Sequence, residues 1–522
     1  IRFAGSTNDS TYKNLKVSFN SVDLGKLVPK IDNLNLKGIV NGNLNILQRK
    51  GLYYPSSNIT IDAIDFNKTP LGNMVIDIKG NNELTRYDLI TTLTNNNIKS
   101  INSTGYIDAS SDKAKIDLDV ALNKFNLTTI SPFGGTVISD IRGFLSGNGK
   151  VSGELNSPNI FGDFKILDGG LNVPYLNIDY SLDPDTDLLV TREKLEIVNT
   201  TMTDSKYLTN GILSGLATHT NFRNWKLDLT VDSKNLVALD TQKDENQLYY
   251  GTAFISGNTR IYGPINELVI DVAATTEENT EFKIPLSDTE SIGDNSFIKF
   301  LSPKEKDAKL RGETIITDDL KGLTLNFDLD INKNAEIEIV IDQETKSALR
   351  GRGAGTLLIE INTLGKFNMW GDFIVYKGIY DFRYGKIIRK EIEVEKGGTI
   401  TWNGLASNAD LNLKAIYKSK ANPSALLDDP TINRKIPVDV YIDLTDKISQ
   451  PELLFDIDFP EVSSTVRSEL EYKLQTQEER EKQALFLLTT GSFISETAGQ
   501  SAISGTVTDG VNAILAQILT DD

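Results

Sequence analysis

Apolar residues occupy every second position along much of this chain. Leu323-Thr-Leu-Asn-Phe-Asp-Leu-Asp-Ile331, Ile116-Asp-Leu-Asp-Val120, Trp225-Lys-Leu-Asp-Leu-Thr-Val231 and Phe455-Asp-Ile-Asp-Phe459 follow this rule, with Asp, Lys, Asn or Thr between. Successive side chains of a strand point to opposite faces, so each run predicts a strand with one apolar and one wet face. Turn signals separate the runs at Thr69-Pro-Leu-Gly72, Gly169-Gly170, Asp183-Pro-Asp-Thr186 and Gly397-Gly398. Strand-like runs recur roughly every 10–15 residues, which predicts roughly 35–40 strands in a long antiparallel meander. The wording around one glycine also recurs, in Lys37-Gly-Ile-Val-Asn-Gly-Asn43, Arg142-Gly-Phe-Leu-Ser-Gly-Asn148, Ala253-Phe-Ile-Ser-Gly-Asn258 and Leu349-Arg-Gly-Arg-Gly-Ala354. The shared glycines are Gly42, Gly147, Gly257 and Gly353. Their spacing suggests stacked sheet units, each contacting its neighbours.

The pattern changes after Pro460. Val466, Leu470 and Leu474 recur every fourth residue within Ser463 to Leu488, which predicts a helix ended by Gly491. Val511 to Leu519 predicts a short further helix. The expected division is a repetitive sheet over 1–460 and a helical segment over 461–522.

Composition narrows the function. The 522 residues carry 54 basic and 72 acidic side chains, a net charge of −18, with one histidine and no cysteine. Binding to nucleic acid or to an anionic membrane surface needs a basic face, which this balance argues against. Without cysteine there is no disulfide, zinc thiolate or thiol nucleophile. The chain opens at Ile1 with no apolar leader and has no apolar run near the ~20 residues a membrane helix needs. It is therefore expected to be part of a longer protein whose anchor lies outside it.

Candidate chemistry is sparse. His219 has no nucleophile motif to partner it and is expected at a strand end or facing solvent. The pairs Asp117/Asp119, Asp328/Asp330 and Asp456/Asp458 have the form of paired carboxylates or calcium ligands, but i,i+2 spacing in a strand puts both on the wet face. Gly351-Arg-Gly-Ala-Gly-Thr356 lacks the lysine of a phosphate loop and reads as a bend before a strand. Trp370, Tyr376, Tyr380, Phe382 and Tyr384 are expected to line an apolar interior. No enzyme signature, metal site or cofactor is expected.

Several ordered motifs resemble the C-terminal domain of the TamB family. They are Gly365-Lys-Phe-Asn-Met-Trp-Gly-Asp-Phe-Ile-Val-Tyr-Lys-Gly-Ile-Tyr-Asp-Phe382, Gly397-Gly-Thr-Ile-Thr-Trp-Asn-Gly404, Ala409-Asp-Leu-Asn-Leu-Lys-Ala-Ile-Tyr417, Ile436-Pro-Val-Asp-Val440, Gln450-Pro-Glu-Leu-Leu-Phe-Asp-Ile-Asp-Phe-Pro460 and Arg480-Glu-Lys-Gln-Ala-Leu-Phe-Leu-Leu488 before Gly491-Ser-Phe493. The resemblance covers roughly residues 350–493. It implies an all-β fold, a long curved antiparallel sheet forming an open hydrophobic groove (a β-taco) with a short helical C-terminal segment. It implies a periplasmic protein, anchored in the inner membrane by a segment outside this chain and contacting the outer membrane. Its implied partner is a TamA-like outer-membrane barrel. Its implied cargo is phospholipid acyl chains moving toward the outer membrane or, alternatively, unfolded outer-membrane protein awaiting assembly.

The apolar alternation then nominates a groove lining: Leu323, Leu325, Phe327, Leu329, Leu411, Leu413, Tyr417, Val438, Val440, Ile442, Phe455, Ile457 and Phe459. The intervening residues, such as Asp328 and Asp456, are expected in water, because a one-residue slip would invert every side chain. Leu485, Phe486 and Leu487 lie in a run too apolar for one helix face. Part of that surface is expected to cap the sheet and part to dock the partner.

Overall fold

The alternating runs form strands. The structure, a computed structural model, describes residues 1–9, 12–27, 35–50, 52–134, 138–220, 223–243, 249–286, 323–342, 347–362, 366–384, 388–429, 432 and 434–495. Within these, 27 strands build a large, mostly antiparallel sheet, and the helices cluster toward the C-terminal end. The strands are fewer than the sequence spacing suggested because many are long: Arg223–Thr241 has 19 residues, Phe367–Tyr384 has 18 and Ser157–Val173 has 17. Glycines and bulges that read as boundaries lie inside them. The chain divides into two compact units, one of Ile1–Ala238 with Gly257–Ile270, the other of Leu239–Ser256 with Asp271–Asp522.

In the N-terminal unit, strands next to one another in sequence pair antiparallel from Arg2–Asp9 onward. One row is shared by two short strands, Ile178–Leu182 and Asp185–Thr191, both paired with Ser157–Val173. The chain turns between them at Asp183 and Pro184, as the sequence signalled. Two other signals misplaced the turn. The hairpin before Thr69 turns at Asn67 and Lys68, both with positive φ, and Pro70 lies inside the following strand. Asparagine tolerates this backbone, which outweighs the proline cue. Gly169 and Gly170 lie within Ser157–Val173, where the register shifts between Leu167 and Gly170, so they mark a bulge.

The recurring glycines have a shared geometric role in the first two copies. Gly42 and Gly147 have φ of 130° and 147°. A Cβ there would come within 2.2 Å of the Asn58 carbonyl oxygen and 2.3 Å of the Asp163 carbonyl oxygen, so only glycine lets the neighbouring strand approach. Gly351 to Thr356 likewise lies within the strand Ser347–Asn362, with a register shift at Arg352/Gly353, and does not precede a separate strand.

The C-terminal unit contains a parallel step. Glu281–Pro285 pairs parallel with Glu336–Asp342, a pairing that two strands joined by a tight hairpin cannot make, and the strand Thr324–Ile331 lies between them in sequence. Ser347–Asn362, Phe367–Tyr384, Asp410–Ala421, Ile436–Lys447 and Glu452–Asp458 carry the antiparallel order onward. Inward side chains of these strands and of Ile388–Val394 and Thr399–Leu405 form a dense core that includes Met369, Phe382, Ile392, Trp402 and Leu444.

Past Asp458 the chain forms two helices where the sequence predicted one. The first terminal helix is Ser464–Lys473, capped by the Ser463 side chain. The second is Gln477–Thr490, whose cap, Thr476, accepts from the Glu479 N–H at 3.2 Å. Thr476-Gln-Glu-Glu479 is a capping-box sequence, and this local start signal breaks the helical period at Leu474. Gly491, with φ of 69°, ends the second helix. The helix expected over Val511 to Leu519 lies outside the described residues.

Candidate functional site

The register of the N-terminal unit joins apolar residues into rows that cross many strands. One row runs Val22, Val40, Ile61, Met74, Leu93, Ile101, Leu122, Gly147, Phe164, Leu188, Ile197, Gly215, Leu229, each residue paired with the next. At about 4.8 Å per strand, its twelve steps extend for about 58 Å. A second row on the same face runs Phe3, Val17, Leu44, Ser57, Ile78, Leu89, Gly105, Leu118, Val151, Ile160. Most of its members, Val17, Leu44, Ile78, Leu89, Val151 and Ile160 among them, are half-buried.

A line of bulges follows the first row. Registers shift at Phe19/Val22, Ile61/Ile64, Leu93/Thr94, Leu122/Phe125 and Leu167/Gly170. Ser21, Ala63, Lys124 and Asp168 adopt positive φ there. Such irregularities bend strands. Residues beyond the bend, Leu24, Ile64, Leu71, Phe66 and Phe125, pack with Val40, Ile61 and Leu93 in one apolar cluster. The margin of this face is therefore covered by its own strand ends, while the second row is only half covered. The opposite face carries polar ladders: Asn41 to Asp62 at 3.0 Å, Lys150 to Asp117 at 3.0 Å and Arg260 to Asp228 at 3.0 Å. Hydrogen bonding to the Asp117 carboxylate holds the Lys150 ammonium above its ordinary value.

The lining nominated from sequence lies in the C-terminal unit. Leu323, Leu325, Leu411, Leu413, Val438, Val440, Ile442, Phe455, Ile457 and Phe459 are buried, whereas Phe327, Leu329 and Tyr417 are half-buried. Asp328 and Asp456 are exposed. Val438, Val440 and Ile442 are 0% exposed, so protein already fills the space over them. A narrow apolar crevice remains between Ile339, Leu349, Phe373, Val394, Ile400 and Leu413. The half-open rows of the N-terminal unit were not nominated. Their strands alternate legibly, but which residues share a row depends on register and bulges that the sequence does not display.

Other candidates resolve into structure. His219 does stand near a strand end, but it is buried, not solvent-facing, with its ring 4.5 Å from Trp225. Burial pushes its pKa down, against an opposing pull from Glu193. Among the aromatics, Tyr380 and Phe382 are interior, but Trp370 is half-buried and Tyr376 is 41% exposed beneath Lys396. An extra residue, Tyr376, separates the positions paired with Arg352 and Gly353, and this reverses the facing of the strand. The Tyr384 side chain lies outside the described residues. Asp330 accepts from Thr356 at 2.8 Å, and Asp458 pairs with Arg467 at 3.2 Å. Among the described residues, no group of three or more His, Asp or Glu could hold a metal, and no helix is long and apolar enough to cross a membrane.

The docking candidates sit on the second terminal helix, which packs on Glu452–Asp458, Asp410–Ala421 and Ile388–Val394. Leu485 and Leu487 are 4% and 0% exposed, and Phe486 is half-buried. Gln483, also 0% exposed, ties this helix to the backbone of Ile494 through two hydrogen bonds of 2.8 and 3.0 Å.

No curated protein matches the chain. The TamB C-terminal domain family matches residues 199–521, well over half of it. That family is a non-enzymatic component of envelope translocation, assembly or lipid transport, and it acts with TamA-like proteins. The match begins within the N-terminal unit and continues through the motifs from Gly365 to Phe493, so the chain belongs to the TamB family.

Proposed function

We propose that the half-open apolar face of the N-terminal unit holds phospholipid acyl chains on their way across the periplasm toward the outer membrane. What supports this reading is the row over thirteen strands, apolar except at two glycines, with a second, less covered row beside it. An acyl chain of about 16 carbons gains on the order of 12 kcal/mol on leaving water, at about 0.8 kcal/mol per methylene. A continuous apolar lining lowers that barrier without any chemical step. In this reading the half-open face of the N-terminal unit works as the groove, and 461–522 as the terminal segment facing a TamA-like barrel.

The test replaces Ile78 with a photo-crosslinking residue in the full-length protein in cells. Phospholipid adducts at Ile78 support the conduit. Adducts only to nascent outer-membrane protein would instead support an assembly factor working with the barrel. Phe486 is the docking candidate with surface to offer. Loss of barrel co-purification by Phe486→Ser at unchanged melting temperature supports docking; retained co-purification assigns that residue to packing alone.

A further inference from the structure

The last strand of the described sheet, Glu452–Asp458, pairs on one side with Ile436–Lys447. Its other side is met by side chains. The Gln477 amide donates to the Phe455 carbonyl oxygen at 3.0 Å, and the Arg467 guanidinium donates to the Phe459 carbonyl oxygen. The Ile457 N–H donates to the Asp456 carboxylate at 2.9 Å. These three backbone positions have one parity, that of the sheet edge, and an unpaired edge is a template for another strand.

The terminal helices also neutralise the wet face of this strand. Arg467 pairs with Asp458 at 3.2 Å and Arg480 reaches Asp456 at 3.8 Å. On the apolar face, Phe493 lies 6.2 Å from Phe459, centroid to centroid, and the second terminal helix packs on the strand. The helices and the segment after them thus provide three things that a neighbouring strand would provide: donors to the edge carbonyls, cations opposite the aspartates and apolar cover on the inner face.

We infer that the Glu452–Asp458 edge is a docking site for an extended segment that alternates basic and apolar residues, and that the terminal helices occupy it as a releasable substitute. The charge pattern selects the occupant. Glu452, Asp456 and Asp458 would lie near their own kind in an edge-to-edge pair of two copies of this chain, and like charges across strands repel. A strand with lysine or arginine on its wet face replaces Arg467 and Arg480 and adds main-chain hydrogen bonds that side chains supply only in part. The ion pairs now in place join half-buried arginines to aspartates that still reach solvent, and such pairs are weak individually, which suits a contact that must release.

The test measures binding of synthetic peptides of about seven residues that alternate valine with lysine or arginine. Controls are the same peptide interrupted by proline, which keeps charge but cannot pair as a strand, and a glutamate version. The double variant Arg467→Ala/Arg480→Ala should bind the basic peptide about tenfold more tightly than the wild type, and should bind the two controls weakly. If the double variant does not fold, Arg480→Ala alone, which removes the longer pair, should show the same direction with about a threefold gain. Equal binding by wild type and folded variants would overturn the inference. So would equal binding of the proline-interrupted peptide, which would mark plain attraction to an acidic chain.

Discussion

The two units use the same alternation and reach different interiors. In the C-terminal unit Val438, Val440, Ile442 and Leu444 follow one another along a single strand at 0% exposure. In the N-terminal unit Leu44, Ile78 and Leu89 hold equivalent alternating positions and are half-buried. Of the twelve largest side chains that are almost wholly buried among the described residues, only Leu93 belongs to the N-terminal unit. The difference lies in what accompanies the aliphatic residues. The N-terminal rows are interrupted by Gly147 and Gly215 in the first and by Ser57 and Gly105 in the second, which supply little volume. The C-terminal face presents Trp402, Phe373, Phe382 and Phe455, and a helix packs against it. Large residues close a core; small ones leave a face that something else can cover.

The sharpest way to break this comparison is the same substitution in both units. Val440→Asp buries an unpaired carboxylate in a filled core and should cost about 3–5 kcal/mol, seen as loss of the C-terminal unit's thermal transition. Leu89→Asp, on the half-covered row, should cost about 1 kcal/mol and leave the protein folded, while lowering phospholipid transfer between vesicles. Equal destabilisation by the two would erase the distinction. Gly147→Val should cost about 2–3 kcal/mol, because φ of 147° and the Asp163 carbonyl exclude a side chain. Its readout is the N-terminal transition in a melting experiment. Gln483→Leu should cost about 2 kcal/mol, since it strands the Ile494 N–H and carbonyl that it now satisfies, and should raise hydrogen exchange at Ile494.

The smallest effect concerns pH. Burial holds the His219 pKa below its ordinary 6.5, so the unfolded chain takes up the proton first as pH falls. Stability from this site is therefore complete above that ordinary value and declines as pH drops toward the folded value. Melting of the N-terminal unit compared at about pH 7.5 and 5.5 should show a decline that His219→Phe reduces. A decline of the same size in the variant would remove His219 as the cause.

The strands were legible because each apolar run, such as Leu323 to Ile331, states its own period. The burial of Val440 and Phe455 was equally readable from the alternation around them. Three things were not. Tyr376 inserts one residue and reverses the facing of its strand, so Trp370 and Tyr376 turn outward although they share an aromatic cluster with Phe382. Thr476 starts a new helix through a side-chain cap, which the four-residue spacing of Val466, Leu470 and Leu474 conceals. The half-open rows depend on partners distant in sequence, such as Ile61 with Met74 and Leu122 with Gly147, and no local pattern announces such a register.

Photo-crosslinking at matched inner positions of the two units tests the central claim most directly. A crosslinking residue at Ile78 and another at Ile442, each in the full-length protein in cells, compare the half-covered face with the closed core. Phospholipid adducts at position 78, with none at position 442, are the predicted result. Equal lipid labelling at both positions, or labelling at 442 alone, would contradict the account.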